Sequence, residues 1–283
     1  MSIRIGASTL ILDFEAVREK AKLVDVIELG IDCTFGISGK HIRLLRQIKD
    51  EEGINYTVHA PFRDLNLASP NPKIYRVSKD LVRRSLDIAA ALGAELLVVH
   101  PGKESYYPSY FHDQMKKLES NFFSFLAHRA ERKGILVAAE NLINAGEFFE
   151  DSWTFEGPLK LIKEISHPFL GLCFDFGHVQ QSGFDVPEML RYILDESRDN
   201  KRKSVNKLFH LHIHDNPGEG VDEHLPLGAG TINWRKVWDI LEENTFNGIA
   251  VIENFGENYL EQSLKYLKSI GVYPAKAKFR QSV

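Results

Sequence analysis

Eight short apolar runs recur along this chain, and an amphipathic stretch with helical spacing follows each of them. The runs read as strands at residues 3–8, 26–30, 56–59, 96–100, 136–140, 171–175, 209–212 and 249–253, and the stretches as helices at 14–23, 41–52, 75–92, 109–133, 158–165, 187–199, 234–243 and 259–269. Near-continuous hydrophobic strands separated by helices imply a parallel sheet covered on its faces. Pro158 and Pro187 suit first helical turns, and Gly53, Gly93, Gly134 and Gly271 suit helix stops. Asn233 suits an N-cap. Eight strand–helix pairs in a chain of 283 residues match a closed (β/α)8 barrel in count and size. An open doubly wound sheet is the alternative, but neither GxGxxG nor GxxxxGK[ST] follows an early strand. No linker or low-complexity tract interrupts the pattern. A single α/β domain is therefore expected over residues 1–271, with 272–283 as a C-terminal tail.

The strand ends are chemically unlike the strands. Runs three and four end in His59 and His100, and run five in Glu140. Run six gives Asp175 with His178 just beyond it, and run seven gives His212 with Asp222 and His224 in its loop. Run eight ends in Glu253. These nine side chains are all able to bind metal, and in a barrel they would meet at the carboxyl end, where active sites are built. Period-two alternation sets their direction. In LFHLHIHD, His210, His212 and His214 share one face, and Leu211 and Ile213 the other. Cys173 should lie under Asp175, and Ile249 and Val251 under Glu253, while Phe174 and Phe176 turn to the helices. Taken singly, each strand-end residue has a bland reading as a cap or a satisfied polar group. Nine at one rim need an explanation, because clustered carboxylates repel and buried imidazoles need partners. Bound divalent ions answer both needs. A donor set of imidazole and carboxylate suits Zn2+, or Mn2+ where oxygen dominates.

Composition removes several classes of function. A net charge of -4 offers no broad basic field for nucleic acid. Two cysteines, Cys33 and Cys173, without CxxC spacing, indicate neither a disulfide framework nor a thiolate zinc site. The N-terminus lacks a secretory pattern, and no run approaches the ~18 apolar residues of a membrane span. A cytoplasmic protein without a membrane partner is expected. His41, His112, His128 and His167 read as surface histidines, and His210 as a lumen residue one layer down. Tyr106, Tyr107, Phe148, Phe149 and Trp153 read as loop residues that pack as core or lid. The basic turn near RDNKRK reads as a solvated surface.

The segments VHAPF, VVHPG, AAEN, FDFGH, HIHDN, DEHLPLGAGTINW and IEN together resemble the xylose isomerase-like TIM-barrel superfamily, whose branches include sugar phosphate isomerases and epimerases and the endonuclease IV (AP endonuclease family 2) enzymes. The resemblance covers nearly the whole chain. On the endonuclease pattern it implies three metal ions: one held by His59, His100 and Glu140, a second by Glu140, Asp175, His212 and Glu253, and a third by His178, Asp222 and His224. On the isomerase pattern it implies one ion on Glu140, Asp175, His212 and Glu253, with Glu140 and Glu253 exchanging a proton as catalytic base and acid. One to three ions per chain are thus expected. The loop after run two, IDCTFGISGK, lacks the Gln/Arg/Trp content with which endonuclease IV enters DNA. Phe62-Arg63 stands where that branch has a Tyr-Leu wedge. These departures favour a small sugar or sugar phosphate over DNA, with Phe62, Arg63, Lys103 and His214 as substrate contacts and Arg235 as a further phosphate candidate. A metal or sugar binder without catalysis is the third reading.

Overall fold

A computed structural model describes residues 3–32, 37–103, 107–143, 156–196 and 207–274. Eight parallel strands close on themselves in chain order: β1 (Arg4–Leu10), β2 (Val26–Gly30), β3 (Asn55–His59), β4 (Leu96–Val99), β5 (Leu136–Glu140), β6 (Leu170–Asp175), β7 (Leu208–Ile213) and β8 (Ile249–Ile252). Closure is completed by β8 on β1, where Arg4 registers with Ile249 and Ala7 with Ile252. The expected barrel is the observed architecture.

The helices are α1 (Phe14–Ala21), α2 (Gly39–Glu52), α3 (Pro72–Leu92), α4 (His112–Glu131), α5 (Glu156–Ile165), α6 (Phe176–Gln181), α7 (Val186–Glu196), α8 (Trp234–Glu243) and α9 (Tyr259–Ser269). Their ends follow the local chemistry. Asp13, Asn71 and Asn233 accept hydrogen bonds from the backbone N–H groups of Ala16, Lys73 and Lys236 at the starts of α1, α3 and α8. Gly53 and Gly93 close α2 and α3 in the left-handed conformation. Helix α3 begins three residues earlier than expected because Asn71 caps it and Pro72 fills its first turn. Helix α6 is a departure from the alternation. The Asp175 side chain accepts from the His178 N–H and turns the chain into one short helix directly off β6.

Alternation sorts the core into two layers. The outer layer is one large cluster between strands and helices that includes Leu97, Val137, Leu172, Phe174, Phe176, Leu211 and Ile252. The lumen holds two small clusters, Leu96 with Val98, Ala138 and Cys173, and Val26 with Ile249 and Val251. Cys173 and the Ile249/Val251 pair therefore lie inside, and both phenylalanines outside, as expected. Small and aliphatic side chains make the floor under the polar rim.

Other sequence expectations need correction or fall elsewhere. His167 is not on the surface: it is buried, with Nδ1 accepting from the Phe169 N–H and its ring 4.4 Å from that of His128. The turn after α5 folds it inward against α4. His41 caps α2 with Nδ1 accepting from the Ser38 N–H. Tyr107 packs edge-on against Phe111. Cys33, Tyr106, Phe148, Phe149, Trp153, the RDNKRK turn and the tail from residue 275 lie outside the described residues. Among the described residues, no helix is long and apolar enough to cross a membrane.

Candidate metal centre

The carboxyl ends of β3 to β8 bring all nine expected side chains to one mouth, in three groups, two of which share a member. His59, His100 and Glu140 form one; Glu140, Asp175, His212 and Glu253 a second; His178, Asp222 and His224, joined by His214, a third. Within each group, donor atoms lie within 4.8 Å of one another. Glu140 links the first two groups. Its Oε2 is 3.1 Å from His59 Nε2 and 3.0 Å from His100 Nε2, and its Oε1 is 2.9 Å from His212 Nδ1. His212 Nδ1 also lies 3.5 Å from Glu253 Oε2 and 3.7 Å from Asp175 Oδ2. Asp222 Oδ2 stands 3.4 Å from His224 Nε2 and 3.7 Å from His178 Nε2.

Four of these histidines have their proton position fixed from behind. His59 Nδ1–H donates to the Ala60 carbonyl at 2.8 Å, His178 Nδ1–H to that of Asn141 at 2.9 Å, and His224 Nδ1–H to that of Glu253 at 2.9 Å. A carbonyl can only accept, so the other ring nitrogen is the one offered forward. For His212 the anchor is a side chain: Nε2–H donates to Glu28 Oε1 at 2.8 Å, leaving Nδ1 for the centre. Each forward nitrogen faces a carboxylate oxygen. Two sets of lone pairs cannot face each other in a buried site without a cation between them, and that cation is either a proton or a metal.

The electrostatics agree. Burial alone would push the His59 and His224 imidazoles down, but Glu140 for the first and Asp222 with Glu253 for the second outweigh it and lift both to about 9. His178 is raised by Asp175, Glu140 and Asp222, and His212 by Cys173, Glu28 and Glu140, each against its burial, whereas in His100 burial wins and the shift is downward. Burial works upward on Glu140 and Asp175, yet the imidazoles around them hold both below the usual carboxylate range. Asp175 Oδ2 is also buried without a hydrogen-bond partner. Two donors about 2.0–2.1 Å from one tetrahedral ion stand roughly 3.3 Å apart, close to the Asp222–His224 spacing. Nitrogen and carboxylate donors without thiolate suit Zn2+, with Mn2+ as the oxygen-richer alternative. The residues fit a divalent metal.

A prediction follows for pH. In the metal-free protein, the extra stability from the raised His59 and His224 is fully present below their ordinary value of 6.5 and is lost as pH rises to about 9. Metal must displace those two protons, so its binding is favoured in the same direction. The Tm gap between zinc-loaded and metal-free protein should therefore widen from pH 6.5 to 9. A weakly buffered zinc titration at pH 7 should release protons; a gap that is flat or narrows with pH would count against these assignments.

The loop that carries Asp222 and His224 is held by two buried residues next to β7. The Asp215 carboxylate accepts from the N–H groups of Asn216, Gly228 and Ile232 and from Trp234 Nε1 at 2.9–3.2 Å. Asn216 Oδ1 accepts from the N–H groups of Glu223 and His224, and its Nδ2 donates to the Gly177 carbonyl. Gly230 permits this closure, since a Cβ there would come within 2.1 Å of the Asn216 carbonyl oxygen. Gly177 plays the same part under α6, where a Cβ would strike the His214 ring. His224 takes φ 51°, a left-handed conformation that a histidine seldom adopts.

The site opens into a cavity of about 710 Å³. Of the expected substrate contacts, Phe62, Arg63 and Lys103 line it. Phe62 stacks on His100 at 4.2 Å, and Arg63 is exposed and ion-paired with Asp32. The Asp32 carboxylate also accepts from the backbone N–H groups of Phe62 and Arg63, which fixes this turn. His214 is placed differently: it is fully buried, outside the cavity wall, with Nε2 3.1 Å from Asp175 Oδ1 and its ring stacked on His224 at 3.8 Å. Arg235 is not among the residues lining the cavity. Sequence reasoning missed Glu28, Asp32 and the anchoring part of Asp215. Glu28 lies two residues short of its strand end, so a search of strand ends passes over it. Its one signal was an acid inside the apolar run VIELG.

The family model for the xylose isomerase-like TIM barrel matches residues 18–270. The chain belongs to this family. The uncharacterised protein MJ1311 of Methanocaldococcus jannaschii is 30% identical over 269 residues, covering 90% of this chain and 84% of that protein. A probable endonuclease 4 of Shouchella clausii is 27% identical over 208 residues, 71% of this chain and 68% of its own. Among solved structures, a D-tagatose 3-epimerase-like protein superposes with a TM-score of 0.82 at 28% identity, covering 95% of this chain and 97% of that one. The chain is thus similar both to a protein named as epimerase-like and to one named as a probable endonuclease.

Proposed function

We propose that the protein is a divalent-metal-dependent enzyme that isomerises or epimerises a small sugar or sugar phosphate. The observation that carries this reading is the shape of the site. The central group opens past Glu253 into a cavity of about 710 Å³, walled in part by Phe62, Leu142, Ile143 and Phe255. That volume falls within the range of small-molecule pockets. A DNA backbone needs an open basic surface, whereas Arg63 is tied to Asp32 and Lys20 Nζ donates inward to the Ser8 carbonyl.

His59, His100, Glu140, Asp175, His178, His212, Asp222, His224 and Glu253 would hold the metal, one to three ions per chain. When bound, a divalent ion supplies Lewis-acid polarisation of a substrate oxygen, which acidifies the neighbouring C–H. Glu253 lines the cavity and is the freer of the two glutamates to take and return that proton. Glu140 is almost wholly buried, and both its oxygens face imidazoles, so its first duty is to hold the centre together. It can take the second proton position only as those contacts loosen. Phe62, Arg63 and Lys103 would bound the sugar on the β3 and β4 side.

One observation favours a second reading, phosphodiester hydrolysis. Three donor groups joined through Glu140 and Asp175 are more than a single-ion epimerase site needs, and clustered ions suit phosphate clamping. The test is direct. Zinc- or manganese-loaded protein is incubated in D2O with a panel of ketoses and ketose phosphates, and separately with a duplex carrying an abasic site. Deuterium uptake beside a sugar carbonyl, with the duplex left intact, is expected. Strand incision without sugar exchange would reverse the assignment, and neither activity would leave a binding protein.

A further inference from the structure

Four of the five rim histidines are fixed from behind, three by backbone carbonyls and one, His212, by a carboxylate. That carboxylate, Glu28 on β2, is buried in the lumen beneath the site, and each of its hydrogen-bond partners is a donor. Oε1 accepts from His212 Nε2 at 2.8 Å, and Oε2 accepts from His210 Nε2 at 2.9 Å and Thr57 Oγ1 at 3.0 Å. Burial would push Glu28 up, but the charges and hydrogen bonds of the two imidazoles outweigh it and hold the carboxyl well below its usual range. A buried ionised carboxylate is costly unless it is hydrogen-bonded, and both oxygens of this one are.

We propose that Glu28 is a positioning residue for the metal centre: by accepting the Nε2 proton of His212 it commits Nδ1 as the donor toward Glu140, Asp175 and Glu253 and makes that imidazole a more basic ligand. The other fixed histidines lean on neutral carbonyls, which orient a ring without adding a full negative charge behind it. A carboxylate behind a ligating imidazole does both, and its loss costs roughly 10–100-fold in metal affinity. His212 is also the one histidine of the four-residue central group, so the hydrogen-bonded effect falls first on that group. Glu28 hydrogen-bonds no member of the first or third group; its hydrogen-bond partners are His210, His212 and Thr57, and its charge reaches His59 only through space. His210 completes the anchor from below. Its Nδ1 is buried without a partner, so only Nε2 can hold the proton that Glu28 accepts. Thr57 steadies Oε2 from β3.

This inference rests on the metal reading above, and its test separates the two. Wild-type protein and Glu28→Gln are titrated with zinc against a competing chelator, and each is loaded with 113Cd for NMR. The amide keeps the shape of the side chain but is neutral and must donate to one imidazole, so it cannot accept from both. One zinc affinity should fall about 10–100-fold, with one cadmium resonance shifted or lost and the others changed much less. In zinc-loaded wild type, long-range 1H–15N spectra should show His212 protonated at Nε2, with that proton slow to exchange, and Glu28→Gln should lose the slow proton. Val26→Ala serves as a packing control on the same strand and lumen face, and should leave the zinc affinities within about twofold. If wild type binds zinc and Glu28→Gln binds it equally well at every step, the inference fails alone. If every step weakens by one common factor together with Tm, Glu28 is structural and the inference fails again. If wild type binds no divalent ion, the metal reading falls and takes the inference with it.

Discussion

Glu140→Ala should lower the Tm of the metal-free protein by roughly 6–12 °C and strip metal from two of the three donor groups. Removing one partner of a buried ionic contact costs about 3–5 kcal/mol, because the charge left behind is unpaired. Here three imidazoles, His59, His100 and His212, lose the anion between them. The two raised imidazoles, His59 and His212, can shed their extra protons instead, which places the cost near the lower end, ~3 kcal/mol, and each kcal/mol moves Tm by about 2–4 °C in a chain of this size. Metal content is the sharper reading. Glu140 belongs to both the first and the central groups, so plasma emission analysis of the variant should find at most the ion held by His178, Asp222 and His224. Calorimetry follows the stability. Wild-type metal content in Glu140→Ala would mean that these groups do not share a ligand.

Asp215→Ala should be costly although the residue lies outside every metal-capable group. Its carboxylate accepts four N–H donors, and removing it strands those of Asn216, Ile232 and Trp234 in buried surroundings. An unmet buried donor costs ~1–3 kcal/mol, so the loss should exceed about 4 kcal/mol in urea unfolding. The part of the chain between Asp215 and Asn233 should become sensitive to protease, and metal on Asp222 and His224 should be lost before that on the other groups. Asp215→Asn keeps the shape but turns an N–H donor toward other donors, so it should recover only part of the loss. A change below about 1 kcal/mol in Asp215→Ala would show that the loop holds itself.

Both predictions concern residues that the sequence revealed to different degrees. Glu140 could be found because it ends a strand run, and strand ends of a closed parallel barrel share one rim whatever the details of packing. The same argument located the other eight rim residues and assigned Cys173, Ile249 and Val251 to the lumen. Asp215 could not be found in this way. Its importance lies in four donors that come to it from positions 216, 228, 232 and 234 only after the loop has folded back. His214 shows the limit from the other side. Alternation gave its face correctly, but one more residue along the strand carried it behind Asp175, where α6 and Gly177 close over it. His167 failed for a related reason, since a turn histidine is exposed or buried according to the helix that passes over it.

By itself the sequence determined the barrel, its two-layered core and the set of side chains at its mouth, because hydrophobic period and strand direction are local properties that repeat eight times. Only the tertiary structure decided that His214 joins the third group, which nitrogen each histidine offers, and that Glu28, 184 residues from His212 in the chain, stands behind it. Hydrogen bonds act over about 3 Å, and no pattern along the chain encodes which distant atoms will come that close.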